Sequence, residues 1–452
     1  MEYTANTYTR ARSLVVWMHN MGANDGLFKS GGTNKVVCRF IWLFFVLGVV
    51  CANMNGQDQL EDQLQDHLQD IRIDTFNDMP ASVENVTGGT GEFLWDWDKE
   101  SNSQELTDFL RREIEDQQDV QTIVVNKNKP DGTYGRENAT FLVLCRNEEV
   151  FELLESVQSI QDRFNHRYNY DWVFLNDKAF DERFMYIVSQ YVVQGKLSFG
   201  QIPREHWGYP SWVNQTYASE QRARLVEEDV VYADSESYRH MCRFYLGFFY
   251  KHPLVAQYQY YWRIEPGVKF YCDVSYDVFH FMKTHGKKYG FVMSMFEYKK
   301  TIPSLWGHFK SFIRRYDHAN GQYGELLDFV QNDNVAKTYN LCHFWSNFEI
   351  ADLSIFNNPD YQAFFEHLDA TGGFFYERWG DAPVHSLAVL WFLSKRDLWW
   401  FGDIGYYHAP YLQCPQPLQT RLENRCSCDP DDDFLFSFIS CTPHILNLLN
   451  SR

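Results

Sequence analysis

The chain has 452 residues, 45% of them hydrophobic and 17% aromatic, with 60 acidic against 41 basic side chains and a formal net charge of −19. That length holds one large catalytic domain or two average ones. The charge argues against a nucleic-acid partner, because gripping a phosphate backbone needs clustered Lys and Arg. A nucleotide ligand stays open, since one or two arginines and a divalent cation can neutralise a diphosphate locally.

In chain order, the first feature is the unbroken apolar run Phe40 to Ala52, extended by Val36 to Cys38 across Arg39. It is shorter than the ~20 residues of a typical membrane-spanning helix. That fits a thin early-secretory bilayer or the apolar core of a signal peptide. Lys29, Lys35 and Arg39 precede it, and Asp58, Glu61, Asp62, Asp66 and Asp70 follow. The positive-inside rule then leaves the N-terminus in the cytosol and sends the bulk into the lumen. The tail before the run is long for a cleaved signal, so an uncleaved single-pass type II anchor is expected. The boundaries read as 1–35 cytosolic tail, 36–54 transmembrane anchor, 55–135 lumenal stem and 136–452 catalytic domain. The sequons at Asn85, Asn138 and Asn214 agree with a lumenal body.

Beyond the anchor, Leu60, Leu64 and Leu68 recur every four residues among acidic and amide side chains. This is a thin amphipathic stripe. It reads as a solvated stem, and it is also the place where two chains could pair. Residues 79–103 are Gly/Pro-rich and loose, and 126–135 is a loop signal. From Ala139 the texture changes. ATFLVLCRN is a short apolar strand, NEEVFELLESVQSIQDRF has helical periodicity, and NYDWVFLND is a second strand. On the helix, Phe151, Leu154, Val157, Ile160 and Phe164 are expected near one face. Strand, helix, strand opens a βαβ sheet, and ligands of such sheets bind beyond the carboxyl ends of the strands. Here those ends are Arg146-Asn147 and Asn176-Asp177. A buried helix over SYRHMCRFYLGFFY, stopped by Pro253, leads to a strand ending at Glu265. YGFVMSMFEY reads as a strand, and a strong helix starts near Ala382.

Cys38 and Cys51 lie in or beside the apolar run. Cys145, Cys242, Cys272, Cys342, Cys414, Cys426, Cys428 and Cys441 could make up to four disulfides in an oxidising compartment. Zinc on the cluster Cys414, Cys426, Cys428 and Cys441 is the weaker alternative, for want of a second tight pair.

Several carboxylates could carry chemistry. Asp96-Trp-Asp98 and Asp429-Pro-Asp431 have Asp-x-Asp spacing but lie in loose, acidic loops, where such residues are mostly solvated. Glu265 ends a strand before a Pro-Gly turn; the plain alternative is a salt bridge to Arg263. Glu349, bracketed by Phe348 and Ile350, is either a paired core carboxylate or one placed for chemistry. Asp381 reads as a helix N-cap or a substrate ligand. His408, between aromatics, is structural unless a metal sits there.

The blocks YNYDWVFLND, SYRHMCRFYLGFFY, YWRIEP, YNLCHFWSNFEIADLSIF, ERWGDAPVHS and GYYHAPY occur in this order. Across Glu137 to Cys428 they closely resemble the fungal α-1,2-mannosyltransferase family of the yeast Golgi, which extends O-linked and N-linked mannan. The resemblance implies an α/β, Rossmann-like glycosyltransferase-A-type catalytic domain behind a Golgi membrane anchor. It also implies GDP-mannose as donor, a mannose-terminated glycan as acceptor, Mn²⁺, and retention of the α configuration. By the same resemblance Glu349 matches a proposed nucleophile, His408 a metal ligand, and Glu265 the first acidic residue of a Glu-Pro-Asp that serves the metal and donor. Arg263 would face the donor, Asp381 the donor sugar or acceptor, and Tyr238 the substrate cleft. The departure is Gly267, where the family commonly has Asp. It supports an alternative, a catalytically silent mannan-binding or assembly partner of mannosyltransferases.

Overall fold

The computed structural model describes residues 92–96, 103–115, 122–128, 135–316, 323–332 and 337–451. The anchor, the leucine stripe, Asn85 and Asp98 fall outside these residues. Among the described residues no helix is long and apolar enough to cross a membrane.

The body is built on one mixed sheet. Its strands are β1 (Glu92–Leu94), β2 (Thr122–Asn126), β3 (Ala139–Leu144), β4 (Asp171–Asn176) and β5 (Lys196–Gln201), followed by β6 (Tyr260–Ile264), β7 (Tyr289–Phe291), β8 (Ile350–Asp352) and β9 (Leu398–Trp400). Their order is β1-β2-β5-β4-β3-β6-β8-β7-β9. The run β5-β4-β3-β6 is parallel, so the carboxyl ends of these strands share one sheet edge. Around it pack α1 (Val150–Ile160), α2 (Glu182–Tyr191), α3 (Glu236–Gly247), α4 (Asp381–Phe392) and α5 (Thr442–Asn450).

Strand alternation divides the core in two. Leu142, Val173, Leu175, Tyr261 and Tyr289 point to the face covered by α3 and α4. Phe141, Val143, Trp172, Phe174, Trp262 and Ile264 point to the face covered by α1 and α2. The near-continuous apolar strands follow from burial on both faces. Helix α4 is also apolar nearly all round, and every residue from Pro383 to Trp391 is buried.

Several expectations need correction. The folded unit begins before residue 136, because β2 pairs with β5 and β1 with β2. Phe151 is 60% exposed under the Arg183 guanidinium rather than buried, and the inner face of α1 is Val150, Leu153, Leu154, Val157 and Ile160. Helix α3 ends at Gly247, and Pro253 starts a short helix instead of stopping a long one. The run YGFVMSMFEY splits, with β7 in the main sheet and Ser294–Phe296 paired to Cys342–Phe344. Zinc is ruled out for the late cysteines. Disulfides join Cys272 to Cys426, Cys342 to Cys441 and Cys414 to Cys428, while Cys145 and Cys242 stay reduced and buried. Asp429 caps its own turn, accepting from the Asp431 amide at 3.0 Å.

Within residues 92–451, alkylation of the denatured, unreduced protein is expected to label Cys145 and Cys242 alone, as read by peptide mass spectrometry. Replacing Cys342 and Cys441 by Ser should lower stability by about 2–4 kcal/mol in urea unfolding, since the bridge restricts the unfolded chain.

Candidate active site

The site grows from the pairing of β6 and β8. Ile350 faces Trp262, so Glu349 stands beside Arg263, whose amide donates to the Glu349 carbonyl at 2.9 Å. Arg263 is only 2% exposed. Its Nη1 donates to Asp381 Oδ2 at 2.5 Å and its Nη2 to Glu265 Oε1 at 2.5 Å. Its guanidinium lies 3.6 Å from the centre of the Tyr245 ring. Burial works against these charges, and their mutual pairing outweighs it: the pKa values of Asp381 and Glu265 fall, and that of Arg263 rises.

Asp381 is the first residue of α4. Gly380 takes the N-cap position, so the capping role expected for Asp381 is not the observed one. Its carboxylate instead receives Arg263 and the Ser346 hydroxyl, the latter at 2.9 Å. The positive end of the helix dipole favours a negative charge there.

Glu349 is fully buried. Tyr289 donates to Oε1 at 2.9 Å, Tyr261 to Oε2 at 3.1 Å, and His385 Nδ1 meets Oε1 at 2.9 Å. His385 Nε2 also meets the Tyr245 carbonyl at 3.1 Å. A carboxylate and a carbonyl only accept, so both ring nitrogens carry protons and His385 is an imidazolium. Burial pulls its pKa down, and Glu349 more than reverses this. His385, Ser346, Tyr245, Tyr261 and Tyr289 were not anticipated as site residues. His385 carried a usable signal: it lies four residues after Asp381 on one helix, hence on the same side.

Glu265 and His408 are brought together by a small sheet in which Tyr406–His408 pairs with Lys269–Phe270. His408 Nε2 is 3.4 Å from Glu265 Oε2, and its ring lies 5.0 Å from that of Trp345. Burial lowers the His408 pKa, and Glu265 raises it further than that. One imidazole and one carboxylate, both partly exposed, fit a divalent cation whose remaining positions are filled by ligand oxygens. The Nδ1 contact to the Ala409 carbonyl at 3.1 Å fixes the ring with Nε2 toward Glu265.

Glu265, Pro266, Gly267 and Val268 form a turn closed by the Val268 amide on the Glu265 carbonyl at 3.4 Å. Pro at the second position and Gly267 at φ +83° are what a type II turn requires. A Cβ at Gly267 would lie 2.7 Å from Glu152 Oε1.

At the carboxyl ends of β3 and β4 opens a cavity of ≈ 250 Å³, lined by Arg146, Asn147, Glu148, Asn176, Asp177, Lys178 and Ser237. These include the strand-end residues expected to meet a ligand. Tyr238, the expected cleft residue, follows Ser237 on α3 but does not line this cavity, and neither does any residue of the Arg263 system.

Residues 95–450 match the family described as glycolipid 2-alpha-mannosyltransferase. The chain belongs to this family. The probable mannosyltransferase MNT3 of Candida albicans is 57% identical over 323 residues, covering 72% of this chain and 83% of that protein. The alpha-1,2 mannosyltransferase KTR1 of Saccharomyces cerevisiae is 49% identical over 71% of this chain and 80% of its own length. Among solved structures, core-mannan synthase A from Aspergillus fumigatus in its Mn/GDP form superposes with a TM-score of 0.66 at 37% identity, covering 72% of this chain and 89% of that one. The mannosyltransferase Ktr4p from S. cerevisiae in complex with GDP gives 0.65 at 33% identity over 78% and 93%. The mixed α/β architecture with one large sheet is therefore that of mannosyltransferases of known structure.

For this family member, Gly267→Asp should lower stability by about 1–3 kcal/mol, the cost of a side chain at a left-handed backbone position. No gain in transfer is expected; thermal unfolding and a transfer assay check both. Glu349→Gln places an amide where three donors expect a carboxylate and strips His385 of its counter-charge. A loss of about 3–5 kcal/mol is expected, as for a broken buried pair, read by urea unfolding.

Proposed function

We propose that the protein is a retaining α-1,2-mannosyltransferase of glycosyltransferase-A type that moves mannose from GDP-mannose to a mannose-terminated O- or N-linked glycan. The observation that carries this is the pairing of Glu265 with His408 just beyond β6, with Glu265 held in place by the buried Arg263. Arg146 and Lys178 offer the strand-end cavity donors for phosphate oxygens, against Glu148 and Asp177, which leave its lining formally neutral. Glu265 and His408 would hold Mn²⁺, which supplies the Lewis acidity that offsets charge on the leaving diphosphate.

Arg263 is buried and holds Asp381 and Glu265 in place through its two terminal nitrogens, so its role is positioning. Asp381, fixed by Arg263 and Ser346, orients a sugar hydroxyl. Glu349 lies one strand over, beneath the reacting sugar. Its oxygens already receive Tyr261, Tyr289 and His385. A carboxylate so bound is a poor nucleophile, and its negative charge suits stabilisation of an oxocarbenium-like transition state. This favours the front-face route to retention over a covalent intermediate.

The body is proposed to lie in the Golgi lumen behind an uncleaved type II anchor, with a stem that can pair two chains. Three disulfides support an oxidising compartment. Asn214 is exposed and uses only Oδ1, capping a helix through the Tyr217 amide at 3.1 Å. Asn138 Nδ2 is engaged with the Gln257 carbonyl at 2.9 Å. A lumenal protein should carry a glycan on Asn214, so Asn214→Gln should reduce the mobility shift on endoglycosidase treatment by one glycan.

The purified protein is expected to make an α-1,2-linked disaccharide from GDP-mannose and methyl α-mannoside with Mn²⁺, and none with EDTA, with the linkage read by NMR. His408→Ala should weaken Mn²⁺-dependent GDP binding at least tenfold in calorimetry. A folded, GDP-binding protein that transfers to no mannose acceptor would overturn the reading in favour of a silent mannan-binding partner.

A further inference from the structure

Helix α4 carries a second charged group one turn after Asp381. His385 is 1% exposed, on a helix that is otherwise apolar nearly all round. Aromatic rings enclose it, Phe356 at 5.3 Å and Phe249 at 6.4 Å between centres. An apolar side chain would pack in such surroundings without electrostatic cost, whereas a buried charge is costly unless it is paired.

No neutral form of the ring fits its two neighbours. Nδ1 faces Glu349 Oε1 at 2.9 Å, and Nε2 faces the Tyr245 carbonyl at 3.1 Å. Either neutral tautomer would turn a nitrogen lone pair against an oxygen lone pair at one end. The site therefore holds its proton on both nitrogens. The same Tyr245 lays its ring under Arg263, so the far end of the imidazolium rests on a residue that is itself fixed.

The other groups around Glu349 bring no second charge into contact with its carboxylate. Tyr261 and Tyr289 donate as phenols, and burial together with the Glu349 charge pushes both up, so they keep their protons. Tyr245, Tyr361 and Arg263 lie within electrostatic reach of Glu349, and Asp381 within reach of His385. The Arg263 guanidinium donates to Asp381 and Glu265. Among the described residues His385 is thus the one cation in hydrogen-bond contact with the Glu349 carboxylate.

We propose that His385 is a positioning residue for mannosyl transfer that acts through Glu349, keeping this carboxylate ionised and fixed in orientation. The proposal deepens the mannosyl-transfer reading and rests on it. An enclosed carboxylate without a counter-charge takes up a proton instead. A neutral carboxyl would no longer stabilise positive charge developing on the sugar.

The test is a double-variant cycle of His385→Gln and Glu349→Gln in the full-length protein. His385→Gln should lower kcat by about a hundredfold or more, with the KM for methyl α-mannoside and the affinity for GDP within about twofold. What activity remains should rise with pH, since base restores the carboxylate. On the Glu349→Gln background the same change should alter kcat by less than about twofold. The double variant should also unfold at a higher urea concentration than Glu349→Gln, because no unpaired charge is left buried. Losses of kcat that multiply across the two positions overturn the proposal, as does a His385→Gln protein that keeps its kcat. A second measurement needs no variant to fold. Among the 15 histidines, ¹⁵N spectra of the GDP-bound wild type should show one that stays doubly protonated at alkaline pH with ring protons slow to exchange. Absence of such a histidine overturns the proposal. A wild type that shows it yet transfers nothing would defeat mannosyl transfer and leave the charge assigned to the Glu349–His385 pair standing.

Discussion

One guanidinium governs this site. Asp381 opens α4 and Glu265 ends β6, far apart in sequence and of like charge. Without a cation between them they would repel each other in a poorly solvated space. Arg263 takes one carboxylate on each terminal nitrogen and lays its face on Tyr245. Buried ion pairs of this kind are weak contributors to stability, because desolvation offsets much of the attraction. What they fix is geometry: a strand end and a helix start are held at one spacing. His385 does for Glu349 what Arg263 does for the other two, so three carboxylates sit among two fixed cations.

That arrangement leaves the open groups with a clear division of labour. The residues with exposed surface, His408 and Glu265, are the ones that solvent reaches. The fully enclosed ones, Glu349 and Arg263, shape the field beneath them. A preorganised field of this sort needs no rearrangement as charge develops on a substrate, which is how fixed dipoles and ions lower a barrier. The sheet makes it possible, because strand alternation puts Tyr261, Arg263, Glu349 and Tyr289 on one face in register.

Much of the core was legible in the sequence. The strand-helix-strand opening, the strand into Glu265 and the helix from Asp381 carry strong local patterns, and the structure has each of them. Local pattern was a poorer guide where tertiary pairing decided the outcome. Phe151 obeys the helical period of α1 yet faces out, because Val150 and Leu153 define the buried side. The run 289–298 bends between two sheets, and nothing in its apolar composition marks the bend. β1 and β2 are short strands in polar surroundings that gain their place from neighbours, β2 from β5 and β1 from β2. For the site, strand-end position marked Glu265, while Glu349, Asp381 and His408 took their site roles from the family resemblance. The partners that define their states, His385, Ser346 and the three tyrosines, carry no residue-type signal of their own apart from the place of His385 four residues after Asp381. The turn at Gly267 shows the converse: Pro-Gly after a strand had a local explanation in backbone geometry all along.

The cysteine bridges have a consequence for the order of assembly. His408 is carried on a short strand flanked in sequence by Cys414, and the segment beyond it is tied back through Cys426, Cys428 and Cys441. The partners of those last cysteines include Cys272 and Cys342, made much earlier on the ribosome. Glu265 therefore waits for His408, and His408's surroundings wait for the last cysteines to emerge and oxidise. A chain stalled short of residue 426 would contain Arg263, Glu349, Asp381 and His408 and still lack the two bridges that tie the segment after His408 back to Cys272 and Cys414.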